Sequence, residues 1–273
     1  MKKGDFCIAV VVNKRYEKYI PYFIFFILKS YPSYAVKVFF TDKLTSKTRL
    51  YIEKMRAMGE VEVVENFYSN LPSSNQELKS FRWLIPQDYF SKYKYAYIGD
   101  VDMLICREDT PLKEQHIKQM NRTGLTYSNC VRSETKRLTG LHFLEVNPYY
   151  KDMSETISKY LIKLKEGRLS SSGNEGTLYK MIEESGIGLP PPGRCDRPHH
   201  GLHLGLWRSK GPRAKTRWDV LAREPTDKML NYYKFFLEAC NDPIYLSIRR
   251  DIRCLEIDLM EADLNKHLKS RGR

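Results

Sequence analysis

At 273 residues the chain is long enough to bury a sizeable core, as one large domain or as a domain with an appendage. A hydrophobic content of 42% with 12% aromatics excludes a disordered chain, and the most apolar run, Ile20 to Leu28 with Pro21 inside it, is too short to span a bilayer. The net charge of +13 favours contact with phosphate, nucleic acid or an anionic membrane surface and carries nothing about the fold.

Phe6 to Val12 (FCIAVVV) is continuous and β-branched, the pattern of a central strand buried on both faces. Asn13 to Tyr16 turns the chain, and Pro21 opens a helix that runs to Ser30, where Tyr31-Pro32 stops it. Ala35 to Phe40 is a second strand, Ser46 to Met58 a helix with Gly59 at its C-cap, and Val61 to Val64 a third strand. Strand, helix, strand, helix, strand predicts a parallel sheet with right-handed crossovers. Asn75 to Pro86 (NQELKSFRWLIP) reads as a further helix, with Lys79 and Arg82 three apart on one face. Beyond it, Gly124 to Cys130 and Gly140 to Val146 are strands, and helices are expected over Leu112 to Gln119, from Tyr149 to Lys165 and over Thr177 to Glu184. Gly167 to Gly176 and Ser185 to His200 read as irregular. From Trp207 the chain turns basic, and Met229 to Ala239 and Ile252 to Leu268 read as helices.

The six cysteines, Cys7, Cys106, Cys130, Cys195, Cys240 and Cys254, form no CxxC pair and read as buried free thiols of a reducing compartment. Met1-Lys2-Lys3 before Phe6 to Val12 imitates a signal start, but the apolar run is short and Asn13-Lys14-Arg15 closes it. A soluble or peripheral protein, cytoplasmic and at most lying at the inner face of the membrane, is the expectation.

The chain centres on Tyr95 to Ile105 (YAYIGDVDMLI), an apolar run broken by Asp100-Val101-Asp102. It predicts a buried strand presenting two carboxylates at its carboxyl edge, where open α/β sheets bind ligands. Two residues apart in extended chain, both side chains point the same way and could share a divalent cation, with Mg²⁺ or Mn²⁺ suited to oxygen ligands.

Lys79-Ser80-Phe81-Arg82-Trp83-Leu84-Ile85-Pro86, followed by a short loop and Tyr97-Ile98-Gly99-Asp100-Val101-Asp102, resembles the heart of GT-A glycosyltransferases, most of all the retaining family 8 enzymes. Those carry an aromatic-x-Arg-Leu-x-x-Pro segment before a Leu-Tyr-x-Asp-x-Asp strand. The likeness is best from Phe6 to Ile105 and patchy after that. Gly140-Leu141-His142-Phe143 resembles the family's small-residue strand, where a glycine lets the donor sugar approach the backbone. His200-Gly201-Leu202-His203-Leu204-Gly205-Leu206-Trp207-Arg208 is similar to the late His-x-x-Gly-x-x-Lys-Pro-Trp segment, whose histidine is a third metal ligand. Here Trp207-Arg208 replaces the Lys-Pro-Trp ending, and neither His200 nor His203 has the family's spacing to Gly205; His203 is the favoured ligand. His142 is expected to be packed inside and His199 to face solvent.

The resemblance implies a GT-A fold, Rossmann-like with a mostly parallel sheet and flanking helices, over residues 1–207, and a basic helical extension over 208–273. It implies Mn²⁺ or Mg²⁺ held by Asp100, Asp102 and His203, and a UDP-sugar donor. Asn13 would lie at the base and ribose, Lys79, Arg82 and Arg208 at the diphosphate, and Gly140 at the sugar. Asp100 would also touch the ribose. Glu175, in Gly173-Asn174-Glu175-Gly176-Thr177-Leu178, holds a place like the family's Asp-Gln pair near sugar and acceptor: a general base if the enzyme inverts, a positioning group if it retains. With Asp102 it makes up the catalytic pair.

The acceptor implied is a glycan or lipid-linked glycan of surface polysaccharide synthesis. The basic stretches Arg208 to Arg217 and Lys266 to Arg273 read as contacts to anionic lipid, with Tyr232, Tyr233, Phe235 and Phe236 either an interfacial face or core. The rival reading is a non-catalytic nucleotide- or nucleic-acid-binding protein. Its nucleic-acid half rests on charge, and the chain carries no recognised RNA- or DNA-binding motif; its nucleotide-binding half rests on the imperfect match of the late histidine segment.

Overall fold

The computed structural model describes residues 4–71, 77–132, 135–169, 173–191, 197–208 and 227–270, the last of these with side chains over 230–265. Its centre is a six-stranded sheet, and the run of β-branched residues near the N-terminus takes the middle of it. Strand β1 (Phe6–Val12) lies between β2 (Ala35–Phe40) and β4 (Tyr95–Gly99), parallel to both, and β3 (Val61–Val64) continues the parallel set beyond β2. Alternate β1 side chains feed two cores. Phe6, Ile8, Val10 and Val12 face one layer, Cys7 and Ala9 the other, so neither face of the strand sees water.

The first layer holds α1 (Ile20–Ser30) and α2 (Ser46–Met55). Thr45 caps α2 by accepting from Thr48 N at 3.3 Å. This helix stops at Met55, short of the expected Met58, and Gly59 is not its left-handed cap. A Cβ on Gly59 would come 2.6 Å from Leu28 Cδ2 and 3.0 Å from the Pro32 carbonyl oxygen, so glycine there serves close packing. The second layer holds α4 (Val146–Lys165), α5 (Gly173–Ser185) and the segment Glu77–Leu84. That segment is a 3₁₀ helix where an α-helix was expected. Arg82 Nε bonds back to the Lys79 carbonyl at 3.1 Å, and in a three-residue repeat Lys79 and Arg82 still share a face.

Beyond β4 the sheet changes direction. Strand β7 (His142–Glu145) pairs antiparallel with β4, and β6 (Tyr127–Ser128) pairs antiparallel with β7, giving the order β3-β2-β1-β4-β7-β6. The α/β class and the mostly parallel sheet with flanking helices are therefore as the sequence predicts. A second, two-stranded sheet pairs β5 (Met103–Leu104) with β8 (Leu202–His203). Gly201 makes it possible: its φ is +73°, and a Cβ would meet the Leu104 carbonyl oxygen at 1.9 Å. This small sheet brings the late histidine segment to the end of β4.

The C-terminal helices are α6 (Asp227–Ala239), α7 (Pro243–Asp251) and α8 (Leu255–Ser270). The middle one was not foreseen; Asp242 caps it at Ile244 N, 2.9 Å, with Pro243 in its first turn. All three share one core with α1, which packs directly against α6 and α7. Phe26 stacks on Phe236 with centroids 5.8 Å apart, Tyr22 donates to the Ile252 carbonyl at 2.5 Å, and Lys29 pairs with Asp242 at 2.8 Å. Tyr232, Tyr233, Phe235 and Phe236 are all buried there, which decides for core and against an interfacial face. The basic stretch after Arg208 and the side chains of the terminal basic residues lie outside the described residues. Among the described residues no helix is long and apolar enough to cross a membrane. Cys7, Cys106, Cys240 and Cys254 are free, as expected, but Cys130 is disulfide-bonded, which corrects the reading of six free thiols; Cys195 lies outside the described residues.

A buried polar chain ties α3 (Leu112–Thr123) to the C-terminal helices. His200 Nδ1 meets Glu108 Oε1 at 2.5 Å, His200 Nε2 meets His116 Nε2 at 3.2 Å, His116 Nδ1 meets Ser128 Oγ at 2.6 Å, and Tyr232 donates to Glu108 Oε1 at 2.6 Å. Burial alone would raise the Glu108 carboxyl; the hydrogen bond and charge of His200, with Tyr232 and Gln115 as further donors, outweigh it and hold the group at about 2. A carboxyl held below its unfolded value of 4.5 stabilises the fold fully above that pH, and the stabilisation fades as pH falls toward 2. Glu108→Gln is expected to lose about 3 kcal/mol at pH 7 and to flatten the acid limb of stability. Urea titrations at pH 7 and pH 3 read this; an unchanged acid limb would assign the acid sensitivity elsewhere.

Candidate active site

Strand β4 ends at Gly99, and Met103 N bonds back to the Asp100 carbonyl at 3.2 Å. Asp100-Val101-Asp102 is thus a tight turn rather than extended chain, which corrects the expectation of two parallel carboxylates. The two side chains take different partners. Asp100 Oδ1 pairs with the Arg82 guanidinium at 2.7 Å, and the same Arg82 nitrogen donates to the carbonyls of Gly99 at 3.2 Å and Gly140 at 3.0 Å. Asp102 turns the other way. Its Oδ2 meets His203 Nε2 at 3.3 Å and also takes the guanidinium of Arg208.

One cavity of about 260 Å³ at the carboxyl edge of β1 and β4 is lined by Asn13, Lys79, Arg82, Asp100, Asp102, Gly140, Glu175 and His203. With Arg208, also in the wall, these are the candidates the sequence points to, His200 apart. Val11, Val12, Tyr16, Thr41, Asn174 and Arg208 complete much of the wall. His200 is excluded: it is fully buried and spent on Glu108 and His116, so of the two histidines His203 is the one at the cavity. His142 is buried, and its imidazole is held by burial, and then by the Arg197 charge, at about 3; His199 is exposed, both as expected. A larger hollow of about 690 Å³, between α3 and α6, contains none of the candidate residues.

Each wall has a local cause. Asn13 follows β1, and its Oδ1 is a buried acceptor with no partner among the described residues, open to a donor on a ligand. Lys79 is exposed at the rim and makes no ion pair among the described residues. Gly140 precedes β7, and a Cβ there would lie 3.4 Å from Asp100 Oδ2, 3.7 Å from Glu175 Oε1 and 3.8 Å from an Arg82 nitrogen, so the missing side chain leaves room among three polar groups. Trp83 Nε1 donates to the Asn174 carbonyl at 2.8 Å, which seats the first turn of α5 at the cavity. Glu175, in that turn, pairs with Arg132 at 2.5 Å. Trp207 Nε1 bonds Asp263 at 2.8 Å and fixes the turn carrying Arg208 against α8.

Burial would raise the Asp102 carboxyl, but the His203 hydrogen bond and the charges of His203 and Arg208 hold it below its usual value. Burial would lower the His203 imidazole; Asp102, by hydrogen bond and charge, and then Asp100 by charge, raise it instead. As donors, Asp102 Oδ2 and His203 Nε2 fit a divalent cation: their 3.3 Å separation is close to the ~3 Å between adjacent ligands of an ion with ~2.1 Å bonds. Asp100 reaches the same cavity but is turned to Arg82, and among the described residues no three His, Cys, Asp or Glu side chains are grouped to hold a metal between them.

Tyr16, Asn174 and the clamp on Arg132 were not anticipated. Asn174 adjoins Glu175 in a Gly-rich segment, and Tyr16 closes the turn after β1, so position along the sheet edge was the available signal.

No family model matches the sequence, and no curated protein matches it. Among solved structures the chain is similar to the galactosyltransferase LgtC in complex with donor and acceptor sugar analogs, at 12% identity and a TM-score of 0.44 over 63% of this chain and 69% of that one. It is similar to the bifunctional glycosyltransferase WbbM, at 11% identity and a TM-score of 0.47 over 93% of this chain and 52% of that one. Core-mannan synthase A (CmsA/Ktr4) from Aspergillus fumigatus, in its Mn/GDP form, aligns at 9% identity and a TM-score of 0.47 over 79% of this chain and 83% of that one. These are likenesses of backbone path, too distant to carry a role for any residue.

Proposed function

We propose that this chain is a metal-dependent GT-A glycosyltransferase that moves a sugar from a nucleoside-diphosphate sugar, a UDP-sugar in the family reading, to a glycan or lipid-linked acceptor of a surface polysaccharide. The observation that carries the reading is the convergence of Asn13, Lys79, Arg82, Asp100, Asp102, Gly140, Glu175 and His203 on one cavity at the carboxyl edge of a parallel sheet.

The roles follow from what each group can do. Asn13 Oδ1, which has no partner among the described residues, can accept from a ribose hydroxyl or a base. Lys79 and Arg82 set positive charge where a diphosphate would depart. Asp102 and His203, with Asp100 beside them, would hold Mn²⁺ or Mg²⁺, which when bound supplies Lewis-acid stabilisation to the leaving diphosphate. Gly140 leaves space for the sugar against the backbone. Glu175, oriented by Arg132, faces the acceptor side as base or positioning group. The net charge of +13 supports peripheral contact with an anionic membrane, where a lipid-linked acceptor would be met.

The test is thermal unfolding with UDP or GDP, with and without Mn²⁺. A ligand at one hundred times its Kd stabilises the folded state by about 2.7 kcal/mol, an upward shift of about 5 °C for a chain of this size. No metal-dependent shift with either nucleotide would sink the reading. A panel of nucleotide sugars screened for slow hydrolysis then identifies the donor.

A further inference from the structure

Arg208 occupies the point where Asp102 and His203 converge. Its guanidinium bonds Asp102 Oδ2, the same oxygen that meets His203 Nε2 at 3.3 Å, and lies over the rings of Tyr16 and Tyr19 at 5.0 Å and 5.5 Å from their centroids. The Asp102 side chain is only 10% exposed, so its charge is met by a cation of the protein rather than by water. Arg208 supplies that cation.

A divalent ion held by Asp102 Oδ2 and His203 Nε2 would have to share one carboxylate oxygen with the guanidinium. Two cations in contact on one buried acceptor, with little water to screen them, repel strongly. Asp102 therefore faces one or the other. Arg208 has somewhere to go: its side chain is 32% exposed, and it lines the same cavity as Lys79 and Arg82, where a diphosphate would offer several anionic oxygens in place of one carboxylate. Gly205, between His203 and Arg208, keeps the junction open, since a Cβ there would lie 2.9 Å from His203 Nε2 and 3.3 Å from Asp102 Oδ2.

We propose that Arg208 is a built-in counter-cation that competes with the divalent ion for Asp102, and that a bound nucleoside diphosphate ends the competition by drawing the guanidinium onto its phosphates. The inference rests on the metal and nucleotide reading of this cavity. Its consequence is that the site resists metal while empty and accepts metal together with the donor; by linkage, metal and nucleotide then each strengthen the other.

The experiment measures Mn²⁺ binding to the full chain by loss of the free-ion EPR signal, with and without UDP. Wild type is compared with Arg208→Gln, with Arg208→Ala as second variant, and thermal midpoints confirm folding of each. Arg208→Gln is expected to bind Mn²⁺ alone about tenfold more tightly than wild type, and Asp102→Asn added to it is expected to abolish that gain. If the Arg208 variants bind Mn²⁺ alone no more tightly than wild type, while wild type binds Mn²⁺ with UDP, the competition is overturned and the metal reading stands. If no form binds Mn²⁺ with or without UDP, the metal reading falls and the competition with it.

Discussion

Asp102→Asn is expected to cut transfer or hydrolysis of the nucleotide sugar by about a thousandfold while leaving the fold in place. The amide keeps the size of the carboxylate, and its oxygen still accepts from Arg208 and His203. What disappears is the negative charge that makes this point of the cavity a place for a cation. The half-exposed Arg208 can turn to solvent, so the thermal midpoint should fall by only a few degrees. Steady-state hydrolysis of the donor sugar by the purified variant, beside its melting curve, checks both halves. Full activity would remove Asp102 from the chemistry.

Arg82→Met is the opposite case, with a large loss of stability as well as of activity. Arg82 is 8% exposed and ties together the Gly99 and Gly140 carbonyls, the Lys79 carbonyl and Asp100. Its removal leaves two buried carbonyls and a carboxylate without their donor, which costs about 3–5 kcal/mol. Arg82→Lys should restore part of this, because an ammonium keeps the charge but cannot fork to several acceptors at once. Urea midpoints for the two variants should fall in that order, with Met lower; equal midpoints would mean that the guanidinium geometry carries no weight.

The parallel half of the sheet was legible because its strands are continuous β-branched runs separated by helical periods, a local signal. The reversal at β7 was not, because Gly140 to Val146 reads the same whichever way it pairs, and its antiparallel register is set by distant residues at β4. The short helix Pro243–Asp251 escaped because its apolar pattern is confined to Ile244 to Ile248, between an Asn-Asp-Pro start and Arg249-Arg250. In the cavity, the membership of the candidates from Asn13 to His203 followed from the motif and the sheet edge, while Tyr16 and Asn174 joined them unannounced. Which carboxylate oxygen meets which cation did not. The partner of Asp102 stands 106 residues away at Arg208, and the turn at Asp100-Val101-Asp102 splits two aspartates that extended geometry would keep together.

The packing of α1 against the C-terminal helices bears on how the chain reaches its native state. Nearly every residue of α1 is buried, and part of its cover comes from Phe236, Tyr245 and Ile252, with Tyr22 bonded to a carbonyl 230 residues further along. Contacts of that separation close late, after a large loss of loop entropy. During synthesis α1 therefore emerges with Phe25 and Phe26 lacking their final partners, and it keeps an aromatic surface open until the segment that carries Phe236, Tyr245 and Ile252 has been made. The helices over residues 227–251 are accordingly what closes that surface.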